Sequence, residues 1–166
     1  GSMGKKCLTT STEAFIIYNI EKGKSMRFKL KIKARKSWNE EERAMVRHAI
    51  SYGIARLGLW ACPIGLEVIL KNFNDEEHYG DSIDLDDKFV VRISKRDNWL
   101  KTIFHELEHV RQYAEDELEL ESGMAMWRGE RFENPEYATS PWEVMANVVE
   151  EELYKDVIAT TIDFFS

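Results

Sequence analysis

His105-Glu106-Leu107-Glu108-His109-Val110-Arg111-Gln112 is the stretch from which the rest of the chain is read. At 3.6 residues per turn, His105 and His109 stand one above the other on the same helix face, so two imidazoles can bind one metal ion. Glu106 lies about 100° round the helix, near enough to meet a water at that ion without being a ligand. Ile103, Leu107, Val110 and Ala114 form an apolar stripe on the other side. The spacing predicts a helix from an N-cap at Asp97 to about Ala114, with one face in a core and the histidines toward a cleft. With 4 His in 166 residues, chance supplies only about 0.01 such motifs.

Working outward, Thr12 to Ile20 and Met26 to Arg35 read as two strands around the turn Glu21-Lys22-Gly23-Lys24. The second alternates Met26, Phe28, Leu30, Ile32 and Ala34 with Arg27, Lys29, Lys31, Lys33 and Arg35. The basic half of that alternation reads as a solvated face, or as an edge strand guarded by lysines. Ser37-x-x-Glu40 predicts a capped helix with acidic residues in its first turn and a stop at Gly58. A strand follows over Leu66 to Phe73, then a hairpin of Ile83 to Leu85 and Phe89 to Ile93 around Asp86-Asp87-Lys88. After the histidine helix, Trp127 to Phe132 is a short irregular or strand segment. Ser140-Pro141 opens a last helix that runs through Tyr154 toward Ile162. The order predicts an α+β fold, a mixed or antiparallel sheet with helices packed on one side. No repeat or linker divides the chain. Gly1-Ser2 before Met3 reads as an expression scar, residues 1–11 as that scar and a tail, and residues 12–166 as one domain.

The composition is that of an ordinary globular protein, 43% hydrophobic and 32% charged. With 23 Lys+Arg against 30 Asp+Glu the net charge is −7, which argues against a chain whose main task is neutralising nucleic-acid phosphates. A nucleic-acid partner is therefore not expected, although a local basic patch could survive. No apolar run reaches the roughly 20 residues of a membrane span, so no membrane association is expected. Cys7 and Cys62 make a poor disulfide framework and read as free thiols in a reducing, cytoplasmic compartment.

A hydrolytic zinc site wants three protein ligands and an open position for water. His48, in the first helix, and His78, in a polar loop, read as ordinary surface or packed histidines. Among downstream carboxylates Glu143 stands out, in the first turn of the last helix beside the apolar stripe Trp142, Met145, Val149 and Leu153. Glu143, Asn147, Glu150 and Tyr154 fall on a neighbouring face, and Ala146 permits close approach to the histidine helix. Asn147 could accept a hydrogen bond from the non-ligating nitrogen of a metal-bound histidine.

His105 to Gln112, Trp127-Arg128-Gly129, Tyr137, Pro141-Trp142-Glu143 and Ala146 together resemble the small gluzincin-type metallopeptidases, among them the minigluzincins and the SprT-like proteins often encoded by phages. The resemblance covers roughly residues 97–155. It implies a compact zincin-like fold, Zn2+ held by His105, His109 and Glu143, and a peptide or protein substrate. It further implies hydrolysis by a zinc-activated water with Glu106 as general base. Tyr137 and Arg128 are candidates to stabilise the developing negative charge. The substrate would add as a strand along the sheet edge formed by the 79–93 hairpin. The chain departs from the pattern in having Met145 where an acid often stands and Asn147 where a larger gluzincin has aspartate. It also lacks the third histidine and paired cysteines usual in SprT-type proteases. Asp116, Glu117 and Glu119 follow the histidine helix too closely to fold back over a metal without a sharp reversal, and no Gly or Pro between Ala114 and Gly123 supplies one. Two other functions fit the same residues: a zinc-binding regulatory module with little general protease activity, and a nucleic-acid-associated protease of the SprT type. A phage origin would place the protein in the host cytoplasm.

Overall fold

The computed structural model describes residues 10–21, 24–62, 65–72 and 79–165. Strands β1 (Thr10–Glu21) and β2 (Lys24–Arg35) are followed by helix α1 (Glu40–Leu57), β3 (Gly65–Lys71), β4 (Gly80–Asp84) and β5 (Lys88–Ser94). Helix α2 (Trp99–Ala114) leads to β6 (Leu118–Glu121), β7 (Met124–Trp127) and β8 (Glu130–Glu133), and α3 (Pro141–Phe165) closes the chain. A five-stranded sheet runs in the order β1-β2-β3-β5-β4, with β2, β3 and β5 parallel and the outer strands antiparallel to their neighbours. The mixed α+β architecture is thus as expected, and β4 is the edge that borders α2.

Alternation along the strands decides which face is covered. Leu30, Ile32 and Ala34 of β2, Leu66, Val68 and Leu70 of β3, and Phe89, Val91 and Ile93 of β5 all point one way. They form one core with Val46, Ala49, Ile50 and Ile54 of α1 and with Ile103, Phe104, Leu107 and Val110 of α2. The stripe read on the histidine helix is therefore the one it buries. Gly80 brings the edge strand against α2: a Cβ there would stand 2.8 Å from the Arg92 carbonyl oxygen and 2.8 Å from Thr102 Cγ2. That contact holds Ser82 of β4 over the middle of the helix.

The caps differ from their expected positions. Helix α1 is capped by Asn39 and not by Ser37: Glu42 N donates to Asn39 Oδ1 at 2.8 Å, and Asn39 N donates to Glu42 Oε1 at 2.9 Å. Trp38, fully buried, donates Nε1 to the Lys71 carbonyl at 2.7 Å and keeps the chain in a turn until residue 39. Helix α2 begins after Asn98, which has φ 65° and makes no side-chain cap, so Asp97 is not its N-cap. Gly58, at φ 69°, ends α1 as expected. Ser140 precedes the Pro141 start of α3, but its hydroxyl donates back to the Glu136 carbonyl at 2.6 Å. Strand β1 begins at Thr10; residues 1–9, with Cys7, and His78 and Phe73 lie outside the described residues. Cys62 is a free thiol.

The segment 115–133 holds more order than its sequence suggested, since β6, β7 and β8 form a second antiparallel sheet. Leu118, Ala125 and Trp127 pack with Trp142 of α3 in a small second core. This sheet and the start of α3 wall the cleft opposite β4.

Candidate metal centre

Helix α2 sends His105 and His109 from one face, and α3 meets them with Glu143 in its first turn. His105 Nε2 lies 2.9 Å from Glu143 Oε1, and His109 Nε2 lies 2.8 Å from Glu143 Oε2. One ligand atom from each of the three lies within 4.8 Å of the others, a donor set that could hold a metal ion. Ala146, fully buried on α3, is the small residue that permits this approach. Among the described residues the group contains no other His, Cys, Asp or Glu, so His48 on α1 is not part of it.

The remaining ring nitrogens are also engaged. His105 Nδ1 is 2.7 Å from Glu150 Oε1. His109 Nδ1 is 2.8 Å from Gln112 Oε1, whose amide nitrogen donates to Glu108 Oε2 at 3.2 Å and to the Trp142 carbonyl at 3.1 Å. Because those two acceptors claim the amide protons, Gln112 presents its oxygen to His109, which must donate from Nδ1. Both rings therefore stand between two acceptors, an arrangement that favours the doubly protonated form. Burial alone would lower the pKa of His105, but the Glu143 and Glu150 carboxylates override it and raise it to about 10. His109 is raised in the same way, against burial, by Glu143 and nearby Glu106. For Glu143 burial works upward, and hydrogen bonds from the two imidazoles bring it down to about 2.

This arrangement fits a divalent ion electrostatically. An ion of charge +2 that displaces both Nε2 protons leaves the charge of the site unchanged, while Glu150 and Gln112 keep each Nδ1 proton in place and each Nε2 lone pair aimed inward. Binding is expected to release up to two protons at neutral pH. Protons win the competition as pH falls, so apparent affinity should drop up to about tenfold per pH unit for each proton displaced. Calorimetry in buffers of different ionisation enthalpy measures the number directly.

In comparisons with protein-family models, with curated proteins and with solved structures, nothing matches this chain.

Glu106 is buried beside the histidines, and its carboxylate meets the Ser82 hydroxyl. Burial raises its pKa, partly offset by the two imidazoles. Tyr113, whose hydroxyl also meets Ser82, is pushed up to about 12 by burial. These groups line one cleft of about 1160 Å³, floored by α2 and flanked by β4 and the β6 side. Tyr137 stands on its lip, 71% exposed, with its hydroxyl toward Glu143; partial burial and that carboxylate raise its pKa.

Two expected residues are not brought in. Asn147 is exposed on the outer side of α3, and Glu150 makes the contact to His105 instead. From Glu143 a step of four residues turns about 40° past the starting direction, whereas a step of seven returns within about 20°. Arg128, at φ 49°, points away from the cleft: its guanidinium lies over Trp127 and its Nε is 3.3 Å from Glu117 Oε2. Three contributors escaped the sequence reading, namely Ser82, Tyr113 and Gln112. Only Gln112 carried a usable signal, as the polar residue one turn beyond His109.

Glu108, fully buried, is held by Arg111 through Nε–Oε1 at 2.6 Å and a second contact at 2.8 Å. Arg111 also bonds Glu117 at 2.9 Å and contacts Glu115. A reversal after α2 thus exists without Gly or Pro, through Asp116 at φ 57°, but it delivers Glu117 to Arg111 and not to the histidines. Gln112→Met, similar in volume, is expected to weaken divalent-ion affinity by about 10–100-fold, because His109 loses its fixed tautomer. Metal titration checks the affinity, and 15N shifts of the His109 ring check the tautomer.

Proposed function

We propose that this chain is a zinc-dependent peptidase of the gluzincin type. The observation that carries the reading is the convergence of His105, His109 and Glu143 in a cleft that also holds Glu106 and runs beside an edge strand. The donor set, two imidazoles and a carboxylate, suits zinc, which supplies Lewis acidity that polarises a carbonyl and makes water a nucleophile near neutral pH.

The chain's own groups supply the rest. Glu106, adjacent to the histidines and outside the donor set, takes the proton of the attacking water and returns it to the leaving nitrogen. Its burial favours the protonated form, which suits the second of those transfers. Ser82 holds the carboxylate in place from the edge strand. Tyr137 can donate its hydroxyl to the substrate oxygen as negative charge develops there. Among the described residues β4 has no partner on its outer side, so an extended peptide can pair along it and lie over α2.

The test is incubation of the zinc-loaded chain with a peptide library, with products identified by mass spectrometry. Cleavage that a chelator stops and added zinc restores is expected. Zinc binding without cleavage of any peptide or protein substrate would reduce the site to a binding module.

A further inference from the structure

Among the described residues, three of the four sheet edges are short and charged. Strand β4 has five residues, with Asp81 and Asp84 among them. Strands β6 and β8 have four each, Leu118-Glu119-Leu120-Glu121 and Glu130-Arg131-Phe132-Glu133. Shortness and charge are common means by which an edge avoids pairing with another chain. The fourth edge, β1, has neither. It is 12 residues long, and its centre, Ala14-Phe15-Ile16-Ile17-Tyr18-Asn19-Ile20, holds no charge, Pro or Gly. The lysines read as guards of an edge belong to β2, which is bonded on both sides, to β1 and β3.

The hairpin that carries this edge is also incomplete at one end. Strand β2 pairs with β3 over Leu30–Ala34 only, whereas its pairing with β1 runs from Lys24 to Arg35. Among the described residues, the ribbon formed by residues 16–21 and 24–29 therefore has two strands and no third. A two-stranded ribbon is marginal in water, and further strands make it stable. Residues 11–15 of β1, opposite the part of β2 that meets β3, are rooted in the full sheet.

We propose that β1 pairs antiparallel with β1 of a second copy, about a two-fold axis through Ile16, to give a dimer with one continuous sheet. Residues of a strand alternate between the two faces, so positions of like parity must oppose each other if both copies keep their helices on one side. An axis at Ile16 meets this condition. It sets Phe15 against Ile17, Ala14 against Tyr18, Glu13 against Asn19 and Ser11 against Glu21, so no acid meets an acid. An axis at Ile17 would set Glu13 against Glu21 twice, and like charges directly opposed destabilise a sheet. The axis at Ile16 also lays residues 16–21 of each copy, the two-stranded half, along the rooted half of the other. Each copy thus supplies the strand that its partner lacks. An isologous pairing of this kind consumes both β1 edges, so assembly stops at two. The β4 edges and their clefts remain free at the two ends, and the inference stands whether or not the chain cleaves peptides.

The experiment is sedimentation equilibrium of the full chain at micromolar concentrations, where a species of twice the chain mass is expected. I16E/Y18E should weaken dimerisation by about 100-fold or more, because two carboxylates then meet on the axis. Within one copy the new acids stand opposite Lys29 and Arg27, so the hairpin keeps favourable cross-strand pairs. V144E/V148E, which charges an exposed apolar pair on α3, should dimerise as the parent does. Single cysteines in a C7S/C62S background read the register. Ile16→Cys meets its own copy on the axis and should form a disulfide-linked dimer under mild oxidation. Tyr18→Cys, about 14 Å from its copy, should not. A parent that stays monomeric or assembles beyond two would overturn the proposal. So would a dimer that survives I16E/Y18E, equal loss in V144E/V148E, or cross-linking of Tyr18→Cys as fast as of Ile16→Cys.

Discussion

Glu106→Gln is expected to lower peptide hydrolysis by at least about 100-fold, and by up to about 10,000-fold, while leaving metal affinity nearly unchanged. The amide has nearly the carboxylate's shape, so it can keep its contact to Ser82 and its place against α2. What it cannot do is accept a proton from water at neutral pH. The two readouts separate roles that proximity alone would confuse. Glu106 adjoins a histidine of the donor set, but its carboxylate is not among the group formed by His105, His109 and Glu143. Loss of metal in the variant would make Glu106 a ligand, and retained activity would remove the site from this class of peptidase. A fall in turnover with metal still bound is the outcome that only a proton-transfer role produces.

How much of this was legible beforehand follows from the range of the interactions involved. The histidine helix could be read because its motif and its apolar stripe are both local, set by spacings of three and four residues. The approach of Glu143 could be read because Pro141 fixes the helix start and Ala146 clears the way. The edge strand could not. Strand β5 (Lys88–Ser94) is the more apolar of the hairpin pair, but β4 becomes the edge only because β5 pairs in parallel with β3, a strand from before the intervening loop. Strand β6 was missed because four residues, Leu118-Glu119-Leu120-Glu121, alternate too briefly to stand out from an acidic loop. Asn147 and Arg128 failed for opposite reasons. Asn147 was placed by a helical wheel whose 40° error is the difference between facing a ligand and facing solvent. Arg128 sits where the chain turns at positive φ, which no periodicity describes.

Glu143→Ala is expected to weaken divalent-ion binding by orders of magnitude, where His48→Ala on α1 leaves it unchanged. The carboxylate is the only anionic member of the donor set, and each of its oxygens faces one histidine. Its removal also alters the metal-free state. Without Glu143 neither Nε2 has its acceptor, and burial then favours neutral rings that keep only the Nδ1 protons given to Glu150 and Gln112. The variant should therefore release fewer protons per ion bound than the parent, even at ion concentrations that compensate for its lower affinity. This second readout distinguishes a lost ligand from general damage: a misfolded site would bind poorly but would not shift the proton count in a defined direction. Full affinity in Glu143→Ala, with the parent's proton release, would mean that the ion is held elsewhere and would end the gluzincin reading.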